Sequence, residues 1–227
     1  MSAIIIAIDG HSSTGKSTMA KALAKELNYI YVDTGAMYRA VTLYALRKSY
    51  VSSSKINIEA IKSCLVDVKI SFSKVVLGQS FVLLNGEKVE DEIRNMEVSN
   101  LVSTVSAIEE VRAFLVQQQQ GFGKQKAVVM DGRDIGSVVF PDAELKIFMT
   151  ASEQVRAQRR FDELTAKGMS VSFEEVLENI KVRDYKDSTR KVAPLIKTAD
   201  ALVLDNSELS PEEQLQWVLN KVQDLTE

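Results

Sequence analysis

The feature that most constrains this chain of 227 residues is a glycine-rich loop that follows an apolar stretch near its start. The run AIIIAI at residues 3–8 has the length and character of a buried strand, and GHSSTGKST follows it at residues 10–18. The loop matches the pattern G-x-x-x-x-G-K-[ST] at its fixed positions, which are Gly10, Gly15, Lys16 and Ser17. Because KSTMAKALAKEL then repeats apolar residues at helical spacing, the order strand, loop, helix predicts the start of an α/β fold with a phosphate-binding loop.

Further apolar runs of strand length follow at residues 29–32, 127–130, 145–149 and 201–204. They are mostly continuous rather than alternating, as is typical of strands that are covered on both faces. Helical patterns lie between them, and two helix starts are marked by Ser172 with Glu175 and by Ser210 with Pro211 and Glu213. This alternation predicts an α/β fold with a doubly wound, five-stranded parallel sheet and helices on both faces.

One stretch, at about residues 68–89, departs from this alternation. It contains two short β-like segments, VKISF and FVLLNGEKV, and Asn85-Gly86 in the second favours a tight hairpin turn. We therefore predict a small antiparallel insertion outside the main sheet, with one helix near residues 56–65 and another near residues 98–119.

Composition limits the classes of function. With 45% hydrophobic and 26% charged residues, and with 28 basic against 31 acidic side chains, the chain is expected to be a globular protein whose overall charge does not favour nucleic acid or anionic membrane. No signal-like segment or apolar run of membrane-spanning length occurs, so a cytoplasmic location is expected. The single cysteine, Cys64, and single histidine, His11, argue against a disulfide framework and a zinc site.

The chemistry of the loop suggests a bound nucleotide. Its backbone N–H groups and the following helix N-terminus favour phosphate, Lys16 would reach the β- and γ-phosphates, and the hydroxyl of Ser17 would coordinate Mg²⁺. Asp131, which follows the run AVVM, and Asp9, directly before the loop, are alternative carboxylates near the metal. For His11 we favour a side chain that points away from the phosphates over a catalytic role, because phosphoryl transfer depends mainly on positioning and charge.

Three further clusters narrow the interpretation. DTGAMYR at residues 33–39 and DGRDIGSVVFPDA at residues 131–143 follow predicted strands, and the carboxyl ends of parallel strands hold the ligands of open α/β sheets. The third cluster is rich in arginine and flanks the segment LTAKGMSVS. Its members Arg156, Arg159 and Arg160 lie within one helical turn of each other, and Arg183, Asp187 and Arg190 recur on one helix face. Beside a phosphate loop, two such helices predict a lid that closes over bound phosphates.

Together these motifs resemble those of the bacterial cytidylate (CMP) kinase family, over Ile4 to about Asp205. The resemblance depends on DTGAMYR, DGRDIGSVVFPDA and RDYKDSTRKVAPL in combination with the phosphate loop. The family's loop commonly reads G-P-S-G-A-G-K-[GS]-T, so His11, Ser13 and Thr14 differ here while the framing glycines and the lysine are kept. The resemblance implies a cytoplasmic enzyme that transfers the γ-phosphoryl group of Mg-ATP to CMP and to dCMP.

The resemblance also implies one P-loop kinase unit over residues 1–227. Its parts are expected to be a core at about 1–36, 121–152 and 191–227, a monophosphate-binding region with the β insertion at about 37–120, and a lid at about 153–190. The implied partners are ATP and CMP or dCMP, with Mg²⁺ as the cofactor, and we expect a monomer that binds neither nucleic acid nor membrane.

The family implies roles for residues of the donor site. Those implied to bind ATP are Gly10, His11, Ser12, Ser13, Thr14, Gly15, Lys16, Ser17 and Thr18. Those implied to act in phosphoryl transfer are Lys16, Arg133, Arg156 and Arg160. Arg156 and Arg160 would belong to the closing lid, and Ser17 would ligate Mg²⁺ with Asp131 as a supporting carboxylate.

The remaining implied roles concern CMP. Its phosphate would contact Thr34, where the family often has serine, together with Arg39, Arg133 and Arg190.

The base and sugar of CMP are implied to contact a second set of side chains. Ser103, Arg112 and Asp134 would read the cytosine edge, and Arg183 and Asp187 would approach the ribose.

Two alternatives to this interpretation stay open at this point. One is a kinase of the same fold that acts on UMP, AMP or a metabolite such as shikimate. The other, from a different class, is a nucleotide-sensing switch; no guanine-reading N-K-x-D motif occurs, and the second set of arginines suits a second bound phosphate better than a protein partner.

Overall fold

The computed structural model describes residues 2–73 and 81–226. The chain forms two compact units, one made of Met1–Val32 with Gln120–Glu227 and the other of Asp33–Gln119. The strands are β1 (Ile5–Gly10), β2 (Ile30–Asp33), β3 (Ile70–Phe72), β4 (Val82–Leu84), β5 (Glu87–Lys88), β6 (Val128–Gly132), β7 (Leu145–Thr150) and β8 (Leu202–Asp205). The α-helices are α1 (Lys16–Leu27), α2 (Thr34–Arg47), α3 (Ile58–Cys64), α4 (Met96–Val105), α5 (Glu109–Phe122), α6 (Glu153–Ala166), α7 (Phe173–Thr189) and α8 (Pro211–Thr226).

The first unit is built on a five-stranded parallel sheet with the strand order β2-β6-β1-β7-β8. Its central strands are continuous apolar runs because both faces are covered, and Ile6, Ile8 and Ile147 are essentially inaccessible to solvent. Helices α1 and α8 contribute apolar side chains such as Leu23 and Val218 to the same core. The prediction of a doubly wound sheet is thus confirmed, and each predicted strand is present.

The register of the sheet brings the functional motifs to one edge. Asp9 at the end of β1 lies opposite Gly132 at the end of β6, and the neighbouring β7 and β8 end together at Thr150 and Asp205. The phosphate loop, the segment after Asp131 and the start of α6 therefore all leave the sheet on its carboxyl side.

The second unit contains α2 to α5 and the antiparallel sheet β3-β4-β5. Asn85 and Gly86 join β4 to β5, both with positive φ (51° and 85°), as the predicted two-residue hairpin requires. The insertion is confirmed as a separate small sheet, although residues 74–80 of the predicted segment lie outside the described residues.

The prediction of one helix near residues 98–119 is wrong, because α4 and α5 are separate helices. Apolar residues Val105, Ile108 and Val111 stay buried through the break, so the helical pattern in the sequence shows no interruption. The amides of residues 107 and 108 bond to carbonyls three residues back, and the side chain of Arg112 donates to the carbonyl oxygen of Ser106 at 3.1 Å. A tightened last turn and a side-chain cap thus end α4.

Both predicted helix starts are confirmed. At α7 the hydroxyl of Ser172 accepts from the amide of Glu175, whose carboxylate accepts from the amide of Ser172 in return. Ser210 and Glu213 make the same pair of hydrogen bonds at the start of α8.

Candidate functional site

The phosphate loop of the first unit depends on backbone conformations that favour glycine. Gly10 and Gly15 have φ values of 146° and 85°, and Ser13 between them also has a positive φ of 61°. A Cβ atom on Gly10 would lie 2.1 Å from the carbonyl oxygen of Met149 on the adjacent strand, so no other residue fits there. The loop then enters α1 through Gly15, and the first amides of this helix face the loop.

The side chain of Lys16 is folded into this loop. Its Nζ atom donates to the carbonyl oxygen of His11 and, at 3.1 Å, to the hydroxyl of Thr14, and only 5% of the residue is exposed. Burial, and next the positive charge of Arg133, lower the pKa of Lys16 to about 7. The loop therefore holds an ammonium group that anionic phosphates would stabilise.

Ser17 lies beside a carboxylate, as a magnesium site requires. Its hydroxyl donates to Oδ2 of Asp131 at 2.9 Å, and the hydroxyl of Tyr31 donates to Oδ1 at 2.8 Å. A hydroxyl and a carboxylate at the phosphate loop are oxygen donors of the kind that Mg²⁺ prefers. These residues therefore fit the ion, and Tyr31 is a contributor that sequence reasoning missed.

Asp9, the alternative carboxylate, is engaged by backbone groups instead. Its two oxygens accept from the amides of Ile135 and Gly136 at 2.8 and 2.7 Å, and burial raises its pKa to about 6. These bonds hold the single π-helical turn Ile135–Val139 that follows Asp134. The geometry favours Asp131 over Asp9 as the residue next to the metal.

A buried cluster of charges surrounds Asp187 on α7. Arg133 donates from Nε to Oδ2 of Asp187 at 2.9 Å, and Arg190 lies 3.6 Å from Oδ1 of Asp134. Burial disfavours the charged carboxylate, but Arg133, Arg183 and Arg190 outweigh it and lower the pKa of Asp187. The sequence motifs after β6 and within α7 therefore meet in the first unit.

The predicted lid arginines on α6 have separate surroundings. Arg156 is buried against the loop: Nε donates to the carbonyl oxygen of Ala151 at 3.0 Å and Nη1 to that of Ser12 at 3.3 Å. Arg160 instead pairs with Glu163 of its own helix at 2.8 Å. Arg156 is therefore in contact with the phosphate loop.

His11 approaches α7 at a residue to which the sequence analysis gave no role. Its Nδ1 lies 3.3 Å from Oδ1 of Asp184 on α7, and Oδ2 of Asp184 lies 2.6 Å from Nη1 of Arg156. The ring of His11 also meets Phe148 edge-on at 6.4 Å. Asp184 belongs to the motif RDYKDSTRKVAPL, directly after Arg183, but the sequence analysis assigned it no role.

Asn206, directly after β8, is a second residue that was missed. It is fully buried, and its Nδ2 donates to the carbonyl oxygen of Thr14 at 2.7 Å and to Oε1 of Gln214 at 2.8 Å. Arg159 donates both to its side-chain oxygen and to its carbonyl, at 3.0 and 2.8 Å. Asn206 thus supports the phosphate loop from behind; only its position after a strand end could have indicated this.

In the second unit, Asp33 organises the start of α2. Its Oδ1 accepts from the amide of Ala36 at 2.8 Å, and its Oδ2 lies 3.3 Å from Arg39 and 3.2 Å from Arg94. Burial opposes the charge, but the two arginines lower the pKa of Asp33. Arg94 also pairs with Glu90 at 2.6 Å, and sequence reasoning did not single it out.

The other predicted residues of this unit are buried. Thr34, Ser103 and Arg112 are 2%, 5% and 3% exposed. Arg112 lies with its guanidinium carbon 5.3 Å from the ring centre of Tyr38, within range of a cation–π contact. An arginine on a helix usually has a solvated side chain, whereas Arg112 on α5 is buried. A buried guanidinium of this kind is suited to recognise a polar group.

Within the described ranges, the structure has no helix that combines the length and apolar character needed to cross a membrane.

These features define a P-loop kinase fold: a parallel sheet, a phosphate loop with Lys16 and Ser17, and arginines beside that loop. The sequence also matches the family model described as "Cytidylate kinase" over residues 6–224. The chain belongs to the cytidylate kinase family.

Curated relatives agree with this assignment along the whole chain. The chain is 58% identical over 222 residues to a cytidylate kinase of Parabacteroides distasonis, with 97% of both chains covered. It is 56% identical to that of Flavobacterium johnsoniae, with 99% of this chain and 98% of the other covered. Among solved structures, an uncharacterized protein from Eubacterium ventriosum has a TM-score of 0.51 at 12% identity, with 98% and 99% covered, which supports the fold alone.

Proposed function

We infer that the protein transfers the γ-phosphoryl group of ATP to CMP, giving CDP and ADP. The observation that carries this inference is family membership over residues 6–224 together with a folded phosphate loop in which Lys16 is buried. We extend the acceptor to dCMP, as the sequence resemblance implies.

For the donor, the proposal places the triphosphate of ATP in the loop of residues 10–18. The loop amides, the N-terminus of α1 and the ammonium of Lys16 would neutralise its charge. Ser17, with Asp131 behind it, would hold Mg²⁺, which when bound neutralises charge on the β- and γ-phosphates. Arg133, Arg156 and Arg160 are proposed to stabilise charge that develops on the transferred group.

For the acceptor phosphate, the proposal assigns Thr34, Arg39, Arg133 and Arg190, the residues that the sequence resemblance implies. Arginine suits this role because its planar fork of donors matches phosphate oxygens. In the second unit, Asp33 fixes the guanidinium of Arg39 at 3.3 Å and so limits the entropy lost when phosphate binds.

For the base and sugar, the proposal assigns cytosine to Ser103, Arg112 and Asp134, and the ribose to Arg183 and Asp187. The exocyclic amine of cytosine needs an acceptor, which a carboxylate or hydroxyl oxygen supplies. UMP has a carbonyl at this position and would leave that acceptor unpaired, at a cost of about 1–3 kcal/mol.

The reaction needs no general base. The second pKa of a phosphate is about 6, so the attacking oxygen of CMP is mostly ionised at neutral pH. The protein therefore has to align the two phosphates, screen their charges and exclude water that would hydrolyse ATP.

The test is a product analysis with purified protein, Mg-ATP and a panel of CMP, dCMP, UMP, AMP and shikimate. We expect CDP and ADP in equal amounts, and a kcat/KM for UMP at least about 10-fold below that for CMP. Comparable values for UMP and CMP would contradict the roles of Ser103 and Asp134. ATP hydrolysis that does not depend on any acceptor would instead indicate a nucleotide-sensing switch.

A further inference from the structure

Asp184 on α7 contacts both the phosphate loop and the other lid helix, although neither the family pattern nor the spacing of charges assigned it a role. All three groups involved lie in the first unit. Oδ2 of Asp184 is 2.6 Å from Nη1 of Arg156, and Oδ1 is 3.3 Å from Nδ1 of His11, a close approach that lacks the alignment of a hydrogen bond. The carboxylate is therefore used on both sides, by two different elements.

The surroundings make these contacts specific. The side chains of Asp184 and Arg156 are only 13% and 4% exposed, so water screens their attraction weakly. Burial disfavours the charge on Asp184, yet His11 and Arg156 outweigh it and hold its pKa below the usual range. The same Nη1 atom of Arg156 also donates to the carbonyl oxygen of Ser12 in the loop at 3.3 Å.

We propose that Asp184 is a positioning residue that ties the phosphate loop to the lid, by fixing the guanidinium of Arg156 and the imidazole of His11 with one carboxylate. Arg156 has neutral acceptors in the carbonyls of Ala151 and Ser12, and Asp184 is its anionic partner in the structure. Removal of that charge leaves a buried guanidinium with weaker partners, so its orientation over the loop becomes less defined.

His11 gives the phosphate loop a second approach to Asp184. The loop sequence that the resemblance gives as common in the family has proline where His11 stands, and proline has no side-chain donor. The contact of His11 with Asp184 therefore adds a link between loop and lid beyond that of Arg156. The ring of His11 also meets Phe148 edge-on, and the carbonyl oxygen of His11 accepts from the ammonium of Lys16.

The first test is kinetic and depends on the proposed phosphotransferase activity. We expect Asp184→Asn to lower kcat roughly 10- to 100-fold, because misplacement of a positioned group by about 1 Å has an effect of this size, while the KM for ATP changes less than about 3-fold. Asp184→Glu, which keeps the charge, should restore part of kcat. The matched control is Glu178→Gln, an exposed carboxylate on the same helix, which should leave both constants unchanged.

A double substitution separates positioning from general loss of structure. If Asp184 acts through Arg156, Asp184→Asn combined with Arg156→Lys should reduce kcat little more than the worse single variant. If the reductions in kcat of the two single variants multiply in the double variant, the proposal is overturned. It is also overturned if Asp184→Asn raises the KM for ATP and leaves kcat unchanged.

The second test does not depend on catalysis. Because His11 is the only histidine, the protein gives one set of imidazole ring signals in NMR spectra, and its Hε1 signal can be followed without overlap from other histidines. We expect that signal to shift in Asp184→Asn and to stay in place in Glu178→Gln. An unchanged signal in Asp184→Asn would refute the link between loop and lid even if CMP phosphorylation itself were not found.

Discussion

At the scale of single residues, burial decides what a functional group can do. Lys16 and Asp9 are both charged in ordinary peptides at neutral pH, but enclosure near the sheet edge brings their pKa values to about 7 and about 6. Asp9 uses its oxygens to hold the turn at Ile135, whereas Lys16 remains available to bind an anion. Two buried charged groups at the same loop therefore have different functions, one structural and one in anion binding.

The pKa of Lys16 makes nucleotide binding dependent on pH. Before binding, the pKa of Lys16 lies near 7, so at pH 8 most of its side chain is neutral. The negative charge of the ATP triphosphate raises this pKa, and Lys16 therefore takes up a proton on binding, roughly 0.9 per ATP at pH 8. Calorimetry at pH 8 in buffers with different ionisation enthalpies measures this uptake, and at pH 6 the uptake should be near zero. Lys16→Met should abolish it; the same uptake in that variant would show that another group titrates.

Gly10 provides a test of the loop geometry. Gly10→Ala should lower the free energy of unfolding by about 3 kcal/mol or more, because the added Cβ would lie 2.1 Å from the carbonyl oxygen of Met149. Gly121→Ala on α5 is the control: its Cβ meets no atom within 4 Å, so helix propensity should stabilise the protein by up to ~1 kcal/mol. Urea denaturation compares the two, and equal stability would show that the strand contact at Gly10 is relieved.

At the scale of elements, helix termini place the functional side chains. Asp33 caps α2 and at the same time holds Arg39 and Arg94, so one carboxylate both starts the helix and orients two cations. On the other unit, α6 and α7 pack as a pair with Phe161 and Phe173 edge-on at 6.2 Å. The elements thus determine which side chains become neighbours.

The placement of Arg39 on α2 predicts a selective loss of acceptor use. Arg39→Ala should raise the KM for CMP roughly 10- to 100-fold, the usual range for a charged hydrogen bond, and the KM for ATP less than about 3-fold. Steady-state kinetics with each substrate varied in turn gives both values. Arg47→Ala, on the same helix but paired with Glu87 and Glu92, should change neither, and equal damage to both substrates by Arg39→Ala would contradict its role.

At the scale of the whole molecule, the large apolar side chains that remain exposed in the described residues are distributed over several elements, for example Ile30, Val66, Tyr185 and Val203. Single exposed apolar residues are normal on a protein surface and do not form an interface by themselves. The net charge of –3 also means that two copies of the chain repel each other electrostatically.

We therefore predict a monomer. Size-exclusion chromatography with light scattering should give a mass of 25.2 kDa at micromolar concentration. A mass twice as large would show that a self-complementary surface exists and would contradict this prediction.

Much of the fold could be predicted from local patterns. Strands β1, β2, β6, β7 and β8 were recognisable as continuous apolar runs, the hairpin at Asn85 by its turn residues, and α7 by its capping box. The gap between α4 and α5 could not be predicted, because the apolar spacing continues across it and only the three-dimensional contact of Arg112 with Ser106 shows where α4 ends. The phosphate loop was the most predictable part of the site, since its chemistry lies in consecutive residues.

The sequence by itself determined the parallel sheet, the phosphate loop and the family, because strand burial and loop geometry depend on residues that are close in the chain. Only the tertiary structure decided that Asp131 rather than Asp9 lies beside Ser17, that Asn206 supports Thr14, and that Asp184 joins His11 to Arg156. The physical reason is that these contacts join residues from 28 to 192 positions apart, which only the packing of helices against the sheet brings within hydrogen-bond distance.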